Sequence, residues 1–279
     1  MAEPLRITSL QNPRVKRMVK LRGSRERRES GLFIAEGRRE LTRAVDAGLH
    51  LREIWVCPKL LSRFDGAQAE VERIIAALPG SVKRVEVSAA VFRKVGYLRE
   101  PEGVLAVVEQ HRWTLADLAE LPAEGEWYLV AVGIEKPGNL GAMVRSAEAA
   151  GCRAVLAAGA AVDIFNPNTI RTSTCAVFSL PVVEAEEAQI RDWLLERGVR
   201  LAATTPAGAV AHTRADLAGR VAIVIGAEDV GLSGDWLAAA DASGGARVVI
   251  PMRGEVVDSL NASTAAAILL FEARRQRSG

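Results

Sequence analysis

What most limits the fold of this chain is a set of short runs that are apolar at every position. WYLVAV at 127–132, AVLA at 154–157 and VAIVI at 221–225 leave no polar face to turn to water. Strands of that kind belong in a parallel sheet covered on both faces, unlike the alternating strands of a half-exposed antiparallel sheet. Between them lie stretches of helical length and patterning at 139–150, 189–196, 233–240 and 263–275. Apolar strands alternating with helices specify an α/β architecture.

The alternation comes in two blocks. A short amphipathic helix is expected over 9–21, with Leu10, Val15, Met18 and Val19 set among basic residues, and 22–31 reads as a loop or a continued exposed helix. Strands at 32–35, 54–57, 82–87 and 104–108 then alternate with helices at 38–47, 67–77 and 89–95, so residues 1–110 make one small α/β domain. Residues 111–126, with Pro122 and Gly125, read as a linker or a surface helix with its loop. Residues 127–279 form a second, parallel-sheet domain with further strands at 182–183, 200–203 and 248–250 and a helix at 167–175.

Charge and rare residues narrow the class. Cys57, Cys152 and Cys175 are odd in number and lie in apolar surroundings. They fit the buried reduced thiols of a cytoplasmic protein and argue against a disulfide framework. His50, His111 and His212 show no metal-ligand spacing, so no metal is expected. No apolar run approaches the ~20 residues that span a bilayer, and MAEPLRITSL lacks the pattern of a secretory signal, so no membrane association is expected. The net charge is only +2, but Arg6, Arg14, Lys16, Arg17, Lys20, Arg22, Arg25, Arg27 and Arg28 crowd the first thirty residues. Such density marks a polyanion partner, nucleic acid above all, although a solvated basic helix has the same composition.

Three strand ends of the second domain run into polar, glycine-bearing turns. In GIEKPGNLGAMVRSA (133–147), Pro137-Gly138 makes the turn, Asn139 is expected to cap the helix, and Arg145 rides on it. In GAEDVGLS (226–233), Glu228 stands between glycines. In IPMRGEVVDSLNASTA (250–265), Ser259 and Asn261 flank Leu260, and either Asn261 or Ser263 can cap the last helix. Turns at the carboxyl ends of parallel strands converge on one crevice, so Asn139, Arg145, Glu228, Ser259 and Asn261 are expected in one site. The patterns GxGxxG, GxxxxGK[ST] and GxSxG are absent, which removes dehydrogenase, P-loop and serine-hydrolase readings.

In order and spacing these turns resemble the motifs of the SpoU/TrmH family of RNA ribose 2′-O-methyltransferases: NxGxxxR at 139–145, GxExxGL at 226–232, and IPM followed by SLN within 250–261. FIAEG at 33–37 and PEGVLAVV at 101–108 resemble the family's small RNA-binding domain, and FNPNTIRTS at 165–173 a further family segment, so the resemblance covers the whole chain. It implies a C-terminal segment threaded into a trefoil knot, one of the rare exceptions to the rule against knotted chains. It also implies a homodimer through the catalytic domains and S-adenosylmethionine as methyl donor. Thr204, Gly226, Ile250 and Leu260 would then contact the cofactor, and Asn139, Arg145, Glu228, Ser259 and Asn261 would face the RNA. Arg14, Lys16, Arg17 and Lys20 would hold RNA phosphates, with Arg171 either a further phosphate contact or a structural ion pair.

The implied reaction is in-line attack of a ribose 2′-hydroxyl on the methyl group, for which the protein must align the atoms and remove one proton. In the family the residue matching Arg145 is given the role of base. Because a guanidinium ordinarily keeps its proton, the alternative is that Arg145 holds the target phosphate while another acceptor takes the proton. Asn139 would orient Arg145, Ser259 and Asn261 would position the ribose or the cofactor loop, and Glu228 would fix the loop or a donor. Two departures stand out. Six residues separate Met252 from Ser259, one more than the family pattern, which places an insertion at 255–257, and Cys175 stands where the family has glycine. Residues 241–247 read as a lengthened surface loop. Large-subunit ribosomal RNA is the expected substrate, with transfer RNA as the alternative. A non-catalytic RNA-binding protein of the same fold is the rival from another class, and the intact polar set argues against it.

Overall fold

The computed structural model of the chain describes residues 4–122, 126–159, 162–207, 210–254, 256 and 259–278. Met1–His111 together with Phe165–Ile170 form one unit, and Arg112–Ile164 with Arg171–Gly279 the other.

The first unit holds β1 (Leu5–Ile7), β2 (Leu32–Glu36), β3 (Leu51–Val56), β4 (Lys83–Val87) and β5 (Val104–Glu109), in the order β1-β4-β3-β5-β2. β1, β4 and β3 are parallel, while β5 is antiparallel to β3 and β2. Helices Ala67–Ala77 and Ala89–Val95 fall where their apolar spacing puts them. The first helix, Pro13–Lys20, starts later than the apolar pattern suggests. Asn12 caps it by accepting the Arg14 N–H, and proline fills the first position, where no N–H is needed. Its Val15 and Met18 pack into a core with Trp55, Val85 and Phe92. β1 escapes the apolar pattern because Ile7 alone of its three residues is buried. The FIAEG run also braces this unit. Its buried Glu36 accepts the N–H groups of Tyr97 and, at 3.2 Å, Leu98, which ties the turn before β5 to the end of β2.

The second unit is built on β6 (Trp127–Val132), β7 (Ala154–Ala158), β8 (Val182–Ala185), β9 (Arg200–Thr204), β10 (Val210–Ala211), β11 (Val221–Ile225) and β12 (Ala246–Val249). All pairs are parallel, in the order β10-β12-β9-β11-β6-β7-β8. Tyr128, Val130, Leu156, Leu201, Val224 and Trp236 lie in its core, so the apolar runs are buried as a parallel sheet requires. From β6 the chain steps outward through β7 and β8, whereas β11 lies on β6's other side. The loops leaving β6 and β11 therefore border the crevice at which such sheets bind ligands.

The last helix, Ala262–Arg277, runs beside helix Pro137–Ala150, with Arg274 Nη1 donating to the Ala150 carbonyl at 3.2 Å. Its end is bonded to the segment between β10 and β11. The Leu217 N–H donates to Gln276 Oε1 (2.8 Å), and Gln276 Nε2 and Arg277 Nη1 donate to the carbonyls of Ala215 (3.0 Å) and Leu217 (2.8 Å). At the foot of β6, buried Glu126 accepts from Arg197 Nη2 (2.6 Å) and Arg220 Nε (2.7 Å).

Three local expectations are corrected. The helix after β6 begins at Pro137 with Lys136 as N-cap, so Asn139 lies inside its first turn and does not cap it. Proline at the first helical position supplies the required φ without a lost donor, which moves the start forward. Residues 241–247 are not a long loop. Helix Gly234–Ala242 continues through Asp241, β12 opens at Ala246, and Gly245 lies so close to β9 that a Cβ there would be 2.0 Å from the Leu201 carbonyl oxygen. The helix expected to Cys175 ends at Thr172, and Thr174 and Cys175 both take positive φ, 51° and 69°. The insertion expected at 255–257 involves Glu255 and Val257, which lie outside the described residues.

Candidate active site

The turn after β11 is shaped by close backbone approach. A Cβ on Gly226 would lie 2.4 Å from the Gly231 carbonyl carbon, and the Gly231 N–H returns to the Ala227 carbonyl at 3.0 Å. This compact turn presents Glu228 to the loops leaving β6 and β12. Glu228 Oε2 accepts from Lys136 Nζ at 2.7 Å. Its Oε1 accepts from Asn139 Nδ2 (2.9 Å), from Asn261 Nδ2 and, at 3.4 Å, from the Ala262 N–H. Asn261 Nδ2 also donates to Asn139 Oδ1 at 3.2 Å. Asn261 Oδ1 meanwhile caps the last helix, accepting from the N–H groups of Ser263 (3.0 Å) and Thr264 (3.4 Å). One carboxylate thus joins three loops. The Lys136 ammonium, ahead of the opposing cost of desolvation and helped by the Ala262 N–H and the Asn139 amide, holds Glu228 below the usual carboxylate range. Glu228 in return pushes the Lys136 ammonium up.

Beside this cluster opens a cleft of about 720 Å³. Thr204, Gly226, Ile250 and Leu260 all line it, with Ile225, Leu232 and Met252 adding apolar wall and Ser259 a hydroxyl. Thr204 donates its hydroxyl to the Val224 carbonyl at 2.9 Å, which braces β9 against β11. Glu228 and Asp229 stand on its border as carboxylates. Apolar walls, hydroxyls and a negative border suit a ligand with a flat base, a sugar and a positive charge.

The residues expected in one site divide. Asn139, Glu228 and Asn261 are hydrogen-bonded together, and Ser259 lines the adjoining cleft. Arg145 lies exposed farther along helix Pro137–Ala150. Among the described residues no hydrogen bond joins Asn139 to Arg145; the Asn139 amide is engaged with Glu228 and Asn261. Lys136 belongs to the cluster and was not anticipated, although a lysine directly before a helix-opening proline was a signal, since a cation opposes the dipole there. In the first unit, Arg14 and Arg17 reach Glu53 at 3.5 and 2.7 Å, while Lys16 and Lys20 face solvent. Arg171 is exposed near the end of helix Pro167–Thr172. Among the described residues no cluster of His, Cys, Asp or Glu could hold a metal, and no helix is long and apolar enough to cross a membrane.

The chain is similar to known proteins in sequence and in fold. Residues 126–271 match the SpoU rRNA Methylase family, and residues 12–106 match an MRM3-like substrate binding domain. A 23S rRNA (uridine(2479)-2′-O)-methyltransferase of Streptomyces viridochromogenes is 34% identical, over 98% of this chain and 92% of its own length. A crystal structure described as an RNA 2′-O ribose methyltransferase superposes with a TM-score of 0.82 at 41% identity, over 99% of this chain and 100% of that one. An AdoMet-bound rRNA methyltransferase from Sinorhizobium meliloti gives 0.84 at 30% identity, over 97% of each chain. With its motif loops joined at one crevice and its similarity extending over nearly its full length, the chain belongs to the SpoU rRNA methylase family.

Proposed function

We propose that this protein transfers the methyl group of S-adenosylmethionine to a ribose 2′-hydroxyl of large-subunit ribosomal RNA. The observation that carries this reading is the joining of Asn139, Glu228 and Asn261 on the border of a cleft lined by Thr204, Gly226, Ile250 and Leu260. Its apolar walls, hydroxyls and bordering carboxylates fit the adenine, ribose and cationic groups of that cofactor. When bound, S-adenosylmethionine supplies a methyl group activated by its sulfonium. The chain's own residues then align the attacking oxygen, exclude water and take up the one proton that the 2′-hydroxyl loses. Thr204, Gly226, Ile250 and Leu260 hold the cofactor, Ser259 on the cleft wall positions the ribose, and Asn139 and Asn261 hold the surrounding loops in place through Glu228. Arg145, exposed on its helix, takes the RNA: its guanidinium presents paired donors to phosphate oxygens. Arg14, Lys16, Arg17, Lys20 and Arg171 extend the phosphate contacts.

The same reading includes a homodimer and a threaded C-terminal segment. The dimer is supported by an apolar stripe on the last helix, where Ala267, Ile268 and 52%-exposed Phe271 are left uncovered in whole or part. The threading is supported by the hydrogen bonds of Gln276 and Arg277 to residues 215–217. Mapping ribose methylation across total RNA, in cells with and without this protein, tests the function. One ribosomal position should lose its methyl group with the protein. A change confined to transfer RNA would shift the substrate class, and no change in any RNA would defeat the reading.

A further inference from the structure

Lys136 is an odd residue for its place. It is the N-cap of the 14-residue helix Pro137–Ala150 and makes no side-chain cap bond. A cation at the positive end of a helix is unfavourable. Its partner does not redeem it energetically, because the Lys136 and Glu228 side chains are 71% and 30% exposed, and pairs so open to water contribute little to stability. The neighbours supply a reason. The small cavity of about 210 Å³ at this point is lined by Glu135 and Lys136 from the loop after β6 and by Glu228 and Asp229 from the turn after β11. From the start of the last helix, the facing groups are the neutral Asn261 amide and the Ala262 N–H. Among the described residues lining that cavity, Lys136 is the one cation set against three carboxylates.

The geometry points to Lys136 as a positioning residue for methyl transfer: its ammonium engages Glu228 Oε2, so that Oε1 stays free to hold the amides of Asn139 and Asn261. This role rests on the reading of the crevice as the methyl-transfer site. The chemistry is one of acceptor count. An ionised carboxylate accepts on both oxygens with its full charge, whereas a protonated one turns one oxygen into a donor and keeps only a neutral carbonyl oxygen, which holds an amide N–H more weakly. With Lys136 gone, Glu135 and Asp229 repel a negative Glu228 and favour its protonation. The lowered carboxylate range of Glu228, with Lys136 as its leading cause, agrees with this arrangement.

The test is the pH dependence of kcat for methyl transfer to ribosomal RNA by the full-length protein. Wild type, Lys136→Met, Lys136→Arg, Glu228→Gln and the Lys136→Met/Glu228→Gln double variant are compared. Lys136→Met should move the acid limb of the profile to higher pH, with turnover lost several-fold at acid pH and recovered towards wild type at alkaline pH. Lys136→Arg should restore the wild-type limb, and in the Glu228→Gln background Lys136→Met should move nothing further. An active wild type whose Lys136→Met profile coincides with its own overturns the role of Lys136 alone, as does failure of arginine to rescue. A wild-type protein that methylates no RNA overturns the functional reading and this proposal with it.

Discussion

At the scale of single residues, the site separates groups bonded to one another from a cation left facing solvent. Asn139, Glu228 and Asn261 spend their polar atoms on one another, whereas Arg145 points its charge at solvent. Arg145→Ala should therefore cut methyl transfer by about 100-fold, the range for a misplaced reacting group, with cofactor affinity by calorimetry unchanged. Near-normal turnover would remove Arg145 from the mechanism. Cys175 makes a second prediction. Its φ of 69° lies in the left-handed region, which explains why the family's glycine suits that position better. Cys175→Gly and Cys175→Ala both delete the thiol, so their difference isolates the backbone. The glycine variant should be the more stable by about 1 kcal/mol in thermal or urea unfolding. Equal stability would mean that the backbone relaxes out of the left-handed region. The glycine motif made this position legible in the sequence, but that Thr174 shares the conformation was not, because threonine carries no such signal.

At the scale of elements, two joints govern the second unit. Gly226 is small because the Gly231–Leu232 backbone passes where a side chain would be. Gly226→Ala should displace the turn that carries Glu228 and abolish S-adenosylmethionine binding while the protein stays folded. Retained affinity would show that the turn can shift without disturbing the cleft. The other joint is Glu126. Burial pushes its carboxyl up, but the guanidiniums of Arg197 and Arg220 outweigh burial and hold it below the usual carboxylate range. Glu126→Gln leaves both arginines without their charge partner and should cost about 2 kcal/mol at neutral pH. A depressed folded-state value means that this stabilisation is present above the unfolded carboxylate pKa of about 4.3 and is lost as pH falls through the folded value. Wild type and variant should therefore converge in acid, and a gap in melting temperature that persists there would assign the loss to packing. Neither joint is visible in periodicity. Glu126 ends a stretch that reads as linker, and its partners lie 71 and 94 residues away.

At the scale of the whole molecule, the uncovered stripe on the last helix is the feature that a second copy would bury. Phe271→Asp should convert a dimer to a monomer by size exclusion with light scattering, since a charge cannot enter an apolar contact without a partner. A variant that remains dimeric would place the interface elsewhere. The sequence by itself determined the α/β class, the parallel second sheet and nearly every helix of that unit, because burial on two faces and helical periodicity are written in consecutive residues. Its motifs also marked the three loops that carry Asn139, Glu228 and Asn261. The tertiary structure alone decided that β12 lies between β9 and β10, and that Glu228 spans 89 residues to reach Asn139. It also drew Lys136 into the cluster and left Arg145 outside it. Strand order and side-chain partnership depend on which surfaces meet after collapse, and no local pattern of apolar and polar residues encodes that.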